Sequence, residues 1–552
     1  MIFSLPIELW CMAWMRLPLD DRVSVSQVCR SWRYFSLGTS QLWSRIDVYS
    51  NGLPDPDCAC AGCSWGDEDA PMPSFLPADY GCCLRNTNLC SVVLALQRCG
   101  TQPILLSIEG LTAEGYDWTS FAADDSDDEP DHTMRCLVKI LAPYIPRISW
   151  MHFRPRDYTG FTKFVYLCLR YCRSEDGTNF VSMRELILSS PQNKTIDIPW
   201  LDVFDFAFNR LERIKLGFGC YWSLHPHDQP FEPEPEDEPP LPELKELHYT
   251  YYTPRNCVDM LAGFPGLSSA HLTCDWDSVG SDDESDAWGD IPSLRMRAAH
   301  VPVIHISRIQ DEETARLMST IFGGTDRQEL VLRYEPEEVE LWSELYDIFA
   351  DLGTELNVTA SLSAKTLTIH AQDAARARTV EMPITRVVHR AIWTSVSPSL
   401  VRRLAIPLNV WYITVPSLAS LPVLDCLILR FVDSRDRQMA SRQRFVCATT
   451  TPALRVLVLQ GYSQKSHRYA FDVSQSMVEQ IALSLNDDHR HGGSRLSCVR
   501  ILNLEVVGFD AEAVARATGA SVQQMWDSSY YISSDVFFLG DDDGSEYSLA
   551  LA

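Results

Sequence analysis

One short pattern, Leu-x-x-Leu-x-Leu, returns along most of the chain and constrains its fold more than any other feature. Clear copies are Leu244/Leu247/Tyr249, Leu267/Ala270/Leu272, Leu424/Leu427/Leu429 and Leu454/Leu457/Leu459, each starting two residues after a proline. Copies without the proline are Met183/Leu186/Leu188, Leu211/Ile214/Leu216, Val401/Leu404/Ile406 and Val499/Leu502/Leu504. Weaker ones are Ile148/Met151/Phe153, Ala364/Leu367/Ile369 and the Leu330/Leu332 pair; a copy begun at Leu294 is degraded by Arg297, and the repeats are poorly defined between Val301 and Val380. The central positions 151, 186, 214, 247 and 270 are 35, 28, 33 and 23 residues apart, and 404, 427 and 457 are 23 and 30 apart. Alternate residues of a strand share one face, so each Leu-x-Leu pair reads as a short strand with one buried side. Repetition at this period is the mark of stacked repeats.

Between strands the period turns helical. Asp311 can cap a helix carrying Leu317, Met318, Ile321 and Phe322. Glu337 to Leu352 sets Val339, Trp342, Leu345, Phe349 and Leu352 on one stripe, and Ser474–Leu485 and the stretch after Asp510 read alike. A strand and a helix every ~30 residues predict parallel pairing through right-handed crossovers. This resembles an irregular leucine-rich-repeat array. The resemblance has a gap: where that family carries a ladder asparagine, this chain has Pro191, Gly219, Tyr252, Asp275, Val432, Tyr462 and Val507. Its regular curvature is therefore not carried over, and an ordinary doubly wound α/β domain remains the alternative.

The first fifty residues have a different texture. They read Leu5-Pro6-Ile7-Glu8-Leu9, then Leu17-Pro18-Leu19-Asp20-Asp21, Val25-Ser26-Gln27-Val28-Cys29-Arg30-Ser31-Trp32, and Leu42-Trp43. Ser4 can cap a first helix with Pro6 in its first turn. Leu9, Ala13 and Leu17 recur at helical spacing, and Asp20 and Asp21 suit the positive end of a second helix. Val25, Val28, Cys29 and Trp32 follow at spacings of three and four.

Those four elements, in that order, closely resemble an F-box, a three-helix module. The resemblance covers residues 4–47 and implies docking on the Skp-type adaptor of SCF ubiquitin ligases. It places Leu5, Pro6, Leu9, Leu17, Val25 and Val28 at or beside the adaptor, with Trp32 and Trp43 holding the module together. Trp10, Ala13 and Trp14 depart from the family's usual Leu, Ile and Phe; a small Ala13 beside a large Trp14 keeps the total volume similar. The passage from Leu42 through Leu89–Gly100 to Thr101–Ile108 is similar to the transition from F-box to repeats in fungal F-box proteins. A module this small buries little surface by itself, so its apolar exterior invites a partner.

Charge narrows the remaining classes. The 552 residues carry a net charge of −27, which argues against a general nucleic-acid binder or an anionic membrane surface as partner. No uncharged apolar run approaches the ~18 residues a membrane span needs. The start lacks the basic segment of a secretory signal, so a cytoplasmic or nuclear location is expected. Acidic stretches at 124–131, 232–238 and 282–286 and in the tail from Asp541 to Glu546 read as solvated loops, or as steering for a basic partner. Arg435, Arg437, Arg442 and Arg444 form a basic patch that reads as a solvated loop.

Catalytic and metal motifs are sparse. Cys58, Cys60, Cys63 and Cys82 are the best metal candidates, offering a tetrahedral thiolate site for zinc; reduced thiols are the competing reading, and no other cofactor is expected. Gly62-Cys63-Ser64-Trp65-Gly66 matches a nucleophile elbow in letters only, since prolines and cysteines stand where a strand must precede the serine. His491-Gly492-Gly493 lies on the wrong side of Ser64 for an oxyanion motif, and the thirteen histidines form no ligand-spaced cluster in sequence.

The expected architecture is therefore α/β, an N-terminal three-helix F-box followed by an irregular leucine-rich-repeat-like α/β solenoid. Its parts are the F-box at 1–50, a Cys/Pro/Gly-rich insertion or linker at 51–86, the repeat-like domain at 87–535 and an acidic tail at 536–552. The expected function is substrate recognition in an SCF-type ubiquitin ligase. The F-box would join the adaptor and cullin complex and the repeats would hold an unknown protein target, with no catalytic residue of the chain's own. A leucine-rich-repeat scaffold with a helical cap is the alternative.

Overall fold

The computed structural model describes residues 7–50, 87–111, 132–156, 160–171, 180–190, 196–198, 201–217, 220–221, 241–251, 254–274, 291–310, 312–323, 327–335, 348–349, 351–353, 355–362, 366–383, 396–408, 410–411, 420–431, 451–461, 471–486 and 496–525. It is a mixed α/β protein with two compact units, residues 1–307 and 308–552. Outside the described residues lie Ser4, Leu5, Pro6, the cysteine cluster at 58–82, Ser64, His491–Gly493, the acidic stretches and tail, the Arg435–Arg444 patch and Asp311. So do Ala364, residues 337–347 of the Glu337–Leu352 stripe, and all the ladder positions but Val507. No described helix is long and apolar enough to cross a membrane.

The first unit opens with helices α1 (Ile7–Met15), α2 (Leu19–Val28) and α3 (Arg30–Gly38). After a 3-10 turn at Ser40–Trp43, strand β1 (Arg45–Tyr49) begins a parallel series. Its other members are β2 (Ile104–Glu109), β3 (Ile148–Arg154), β4 (Glu185–Leu188), β6 (Arg213–Leu216), β8 (Glu246–Tyr251), β9 (Ser269–Cys274) and β10 (Val303–Ile309), paired in chain order. The short strands β5 (Ile196–Asp197) and β7 (Cys220–Tyr221) form a separate parallel pair. Helices α4 (Leu89–Arg98), α5 (His132–Leu141), α6 (Gly160–Tyr171), α7 (Leu201–Phe208), α8 (Pro254–Gly263) and α9 (Ile291–Ala298) fill the connections.

Register explains why the leucine pattern recurs. The central positions Ile46, Leu106, Met151, Leu186, Ile214 and Leu247 stand side by side, followed by Ala270 and Ile304. Each is fully buried, as is the third position of every copy. A one-residue slip in any strand turns its apolar pair to the other face, so burial pins the register.

Two copies sit elsewhere than their sequence suggests. Leu294 belongs to helix α9, where Arg297 bonds Asp259 at 2.6 Å, and the strand copy is Val301/Ile304/Ile306. The copy Val499/Leu502/Leu504 is displaced by three residues: Val499 and Ile501 pair with Leu457 and Leu459, while Leu496 enters the core ahead of them. The cause is Asn503, whose φ of 52° ends the strand and sends Leu504 into another pairing. A first copy, the buried Trp43/Ile46/Val48, overlaps the end of the helical module.

The second unit has helix α10 (Glu312–Phe322) and strands β11 (Glu329–Tyr334), β12 (Leu356–Leu362), β13 (Thr366–Gln372), β14 (Ala377–Pro383), β15 (Val401–Pro407), β16 (Cys426–Phe431), β17 (Val456–Gly461), β18 (Phe471–Ser474), β19 (Cys498–Leu502), β20 (Leu504–Val507) and β21 (Ser521–Met525). Strands β15, β16, β17, β19 and β21 are parallel neighbours, and β18 and β20 form their own parallel pair. The helices at Gln475–Asn486 and Ala511–Thr518 match the expected stripes, the latter capped by Asp510.

Between β11 and β15 the chain does something the leucine pattern does not foretell. Strands β12, β13 and β14 form an antiparallel meander, with β14 parallel to β11 and β12 parallel to β15. Leu367 and Ile369 are buried as expected of a repeat copy, but on a strand running opposite to both neighbours. Alternation sets which face is buried and says nothing about direction; a short turn does that.

Asp373 makes that turn. Its carboxylate accepts from Ala375 N at 2.8 Å, Arg376 N at 2.7 Å and Gly353 N at 2.8 Å, and pairs with the Arg376 guanidinium at 3.2 Å. Burial pushes this carboxyl up, but the three N–H donors and Arg376 outweigh it and hold it at about 2. A lowered folded value means stabilisation that is complete above the ordinary carboxylate range and is lost as pH falls through it. The stability gap between wild type and Asp373→Ala, read from urea midpoints, is expected to hold above about pH 5 and shrink by roughly half at pH 3.

Candidate functional site

The helical module folds around aromatic rings. Trp10 and Trp14, one turn apart on α1, both meet Trp32 of α3, with ring centroids 5.9 and 5.4 Å apart, and Trp14 also meets Phe35 at 5.3 Å. Trp14 is buried while Ala13 is exposed, so the two point to different sides and do not share one volume. The stripe through Val25, Val28, Cys29 and Trp32 does not belong to one helix. Cys29 is extended, ends α2, and accepts from Trp32 N to cap α3. The buried side of α2 is instead Leu19, Arg22 and Ser26.

Arg22 joins the module to the strand series. It donates to Leu42 O at 2.6 Å and to Asp47 at 3.2 Å, and burial lowers its pKa against the pull of Asp47. The Tyr49 hydroxyl donates to Asp20; that bond, with burial second, pushes the phenol up to about 12. Asn88 accepts from Tyr49 N at 3.1 Å and donates to Asp47 O at 2.6 Å. Trp43 is buried, donates to Ser36 O at 2.7 Å, and carries the Arg98 guanidinium 4.7 Å from its ring centre. Sequence patterns did not single out Arg22, Asn88 or Tyr49, because their partners lie 20 to 41 residues away.

The outer surface of the module is unusually apolar. Among the described residues eleven large hydrophobic side chains are exposed, and five of them, Leu9, Met12, Val28, Tyr34 and Leu37, lie on α1–α3. Leu9 and Met12 share one side of α1, and Tyr34 and Leu37 one side of α3. Of the anticipated adaptor contacts, Leu9 is 48% and Val28 67% exposed, Leu17 and Val25 are half-buried, and Leu5 and Pro6 lie outside the described residues. Trp32 is half-buried. Met12, Tyr34 and Leu37 were missed, although an apolar residue on the outer side of a small helix was a readable signal.

Residues 2–49 match the F-box-like family model. No curated protein matches the chain.

Proposed function

We propose that this chain is the substrate-recognition subunit of an SCF-type ubiquitin ligase, working in the cytoplasm, the nucleus or both. The observation that carries the reading is the F-box-like match over residues 2–49, and the exposure of Leu9 and Val28 supports them as adaptor contacts. The cullin would be reached through that adaptor, and ubiquitin transfer would be done by other subunits. The chain's part is proximity: holding a target lysine near the conjugating enzyme raises its effective concentration. The in-register stack of β1 to β10 supports a leucine-rich-repeat-like solenoid as the target-binding part, and the likeness of the 42–108 passage supports a fungal type.

The bonds from Arg22 and Asp20 to β1 favour a second role for the module, as a cap on the strand series. Exposed positions separate the two roles, because a cap does not need Leu9 or Val28. Full-length protein carrying Leu9→Asp and Val28→Asp should keep its thermal midpoint yet bind the purified adaptor at least thirtyfold more weakly, about 2 kcal/mol or more. A well-folded wild type that fails to bind the adaptor overturns the ligase reading and leaves a scaffold.

A further inference from the structure

The outward side of the first unit's strands carries a row that the leucine pattern does not involve. His248 on β8, His271 on β9 and His305 on β10 occupy the same register position, so three imidazoles stand side by side on adjacent parallel strands. The rings of His248 and His271 stack with centroids 4.1 Å apart, and His305 meets His271 edge-on at 4.4 Å. Glu246, two residues before His248 on the same side of β8, lies 2.8 Å from His248 Nε2. One ligand atom each from Glu246, His248 and His271 falls within 4.8 Å of the others. The histidines are 23 and 34 residues apart in sequence, which is why no local motif reveals them.

We propose that Glu246, His248 and His271 form a binding site for a divalent transition-metal ion of the zinc type, with His305 orienting the ring of His271. Two imidazoles and one carboxylate are a recurrent three-ligand zinc set, leaving a fourth position for water or a ligand side chain. Bonds of about 2.0–2.1 Å in tetrahedral array put ligand atoms about 3.3 Å apart. The Glu246–His248 contact must therefore open by about half an ångström, and the wider separations must close. Glu246 and His248 are each about a third exposed, which leaves their side chains room to do so. On the neighbouring strand β6, Lys215 stands in register with His248; it pairs with Glu185 at 3.4 Å, and its charge also acts on Glu246, a like charge that a bound cation has to tolerate. Ser269 Oγ lies 3.5 Å from His271 Nε2 and is the polar neighbour the ion would displace or share.

The competing ligands in this chain are thiols, so the test uses the full-length protein with Cys58, Cys60, Cys63 and Cys82 changed to Ser. Stripped of metal, it is titrated with Zn2+ by calorimetry and with Co2+ by visible absorption. One site per chain is expected, with tetrahedral Co2+ bands and no thiolate charge-transfer band. His271→Ala should weaken Zn2+ at least tenfold, and Glu246→Gln, at a third-exposed position, should do the same with the metal-free melting midpoint unchanged. If His271→Ala fails to fold, Glu246→Gln carries the test alone. Absence of binding, a purely thiolate Co2+ spectrum, or affinity undiminished in these variants overturns the proposal.

Discussion

Changing Asp47 to Ala is expected to destabilise the first unit more than changing its partner Arg22 to Met. Arg22 is 1% exposed and its guanidinium has two partners, Leu42 O and Asp47. Removing Asp47 leaves a buried cation facing a single carbonyl, and breaking a buried pair from one side costs about 3–5 kcal/mol. Arg22→Met removes the charge and keeps the volume. It strands only the Leu42 carbonyl and a carboxylate that is 25% exposed and still has Arg45 at 3.5 Å, so about 1–3 kcal/mol is expected. The double variant should recover much of the Asp47→Ala loss. Urea unfolding of the four proteins measures the cycle, and equal losses in both single variants would show that the pair does not act through buried charge. On the proposed adaptor role, binding should weaken in the same order, because Arg22 ties α2, the helix that carries Val28, to Asp47 of β1.

What was legible in the sequence follows the range of the forces involved. The pair Leu186/Leu188 announces a strand because burial alternates over two residues, and Asp510 announces a helix start because a cap acts within three. The three-helix module was legible through an ordered set of short signals. Direction and long-range register were not legible. Leu367 and Ile369 look like any other copy, yet a turn built on Asp373 reverses their strand. Leu504 continues the apolar pattern of Val499, yet a left-handed Asn503 stands between. The histidine row is the extreme case: each histidine occupies an unremarkable outward position, and only the pairing of three strands brings them together.

The same logic applied to the second unit predicts the other large effect. Arg378 is fully buried on β14 and is held by Asp351 through a paired contact, with further bonds to Arg327 O at 3.1 Å and Ala377 O at 2.8 Å. Arg376, 4.0 Å from the same carboxylate, adds a second positive charge. Asp351→Ala therefore leaves two neighbouring cations, one of them out of reach of water, and is expected to cost about 3–5 kcal/mol. Because Arg378 sits where β14 pairs with β11, the loss should appear first as faster amide hydrogen exchange across β11 and the β12–β14 meander. Adding Arg378→Met to Asp351→Ala should restore most of the stability, since an apolar side chain of similar length needs no partner. A double variant no more stable than Asp351→Ala would mean that the carboxylate holds the turn at Gly353 and Asp373 rather than neutralising the buried arginine.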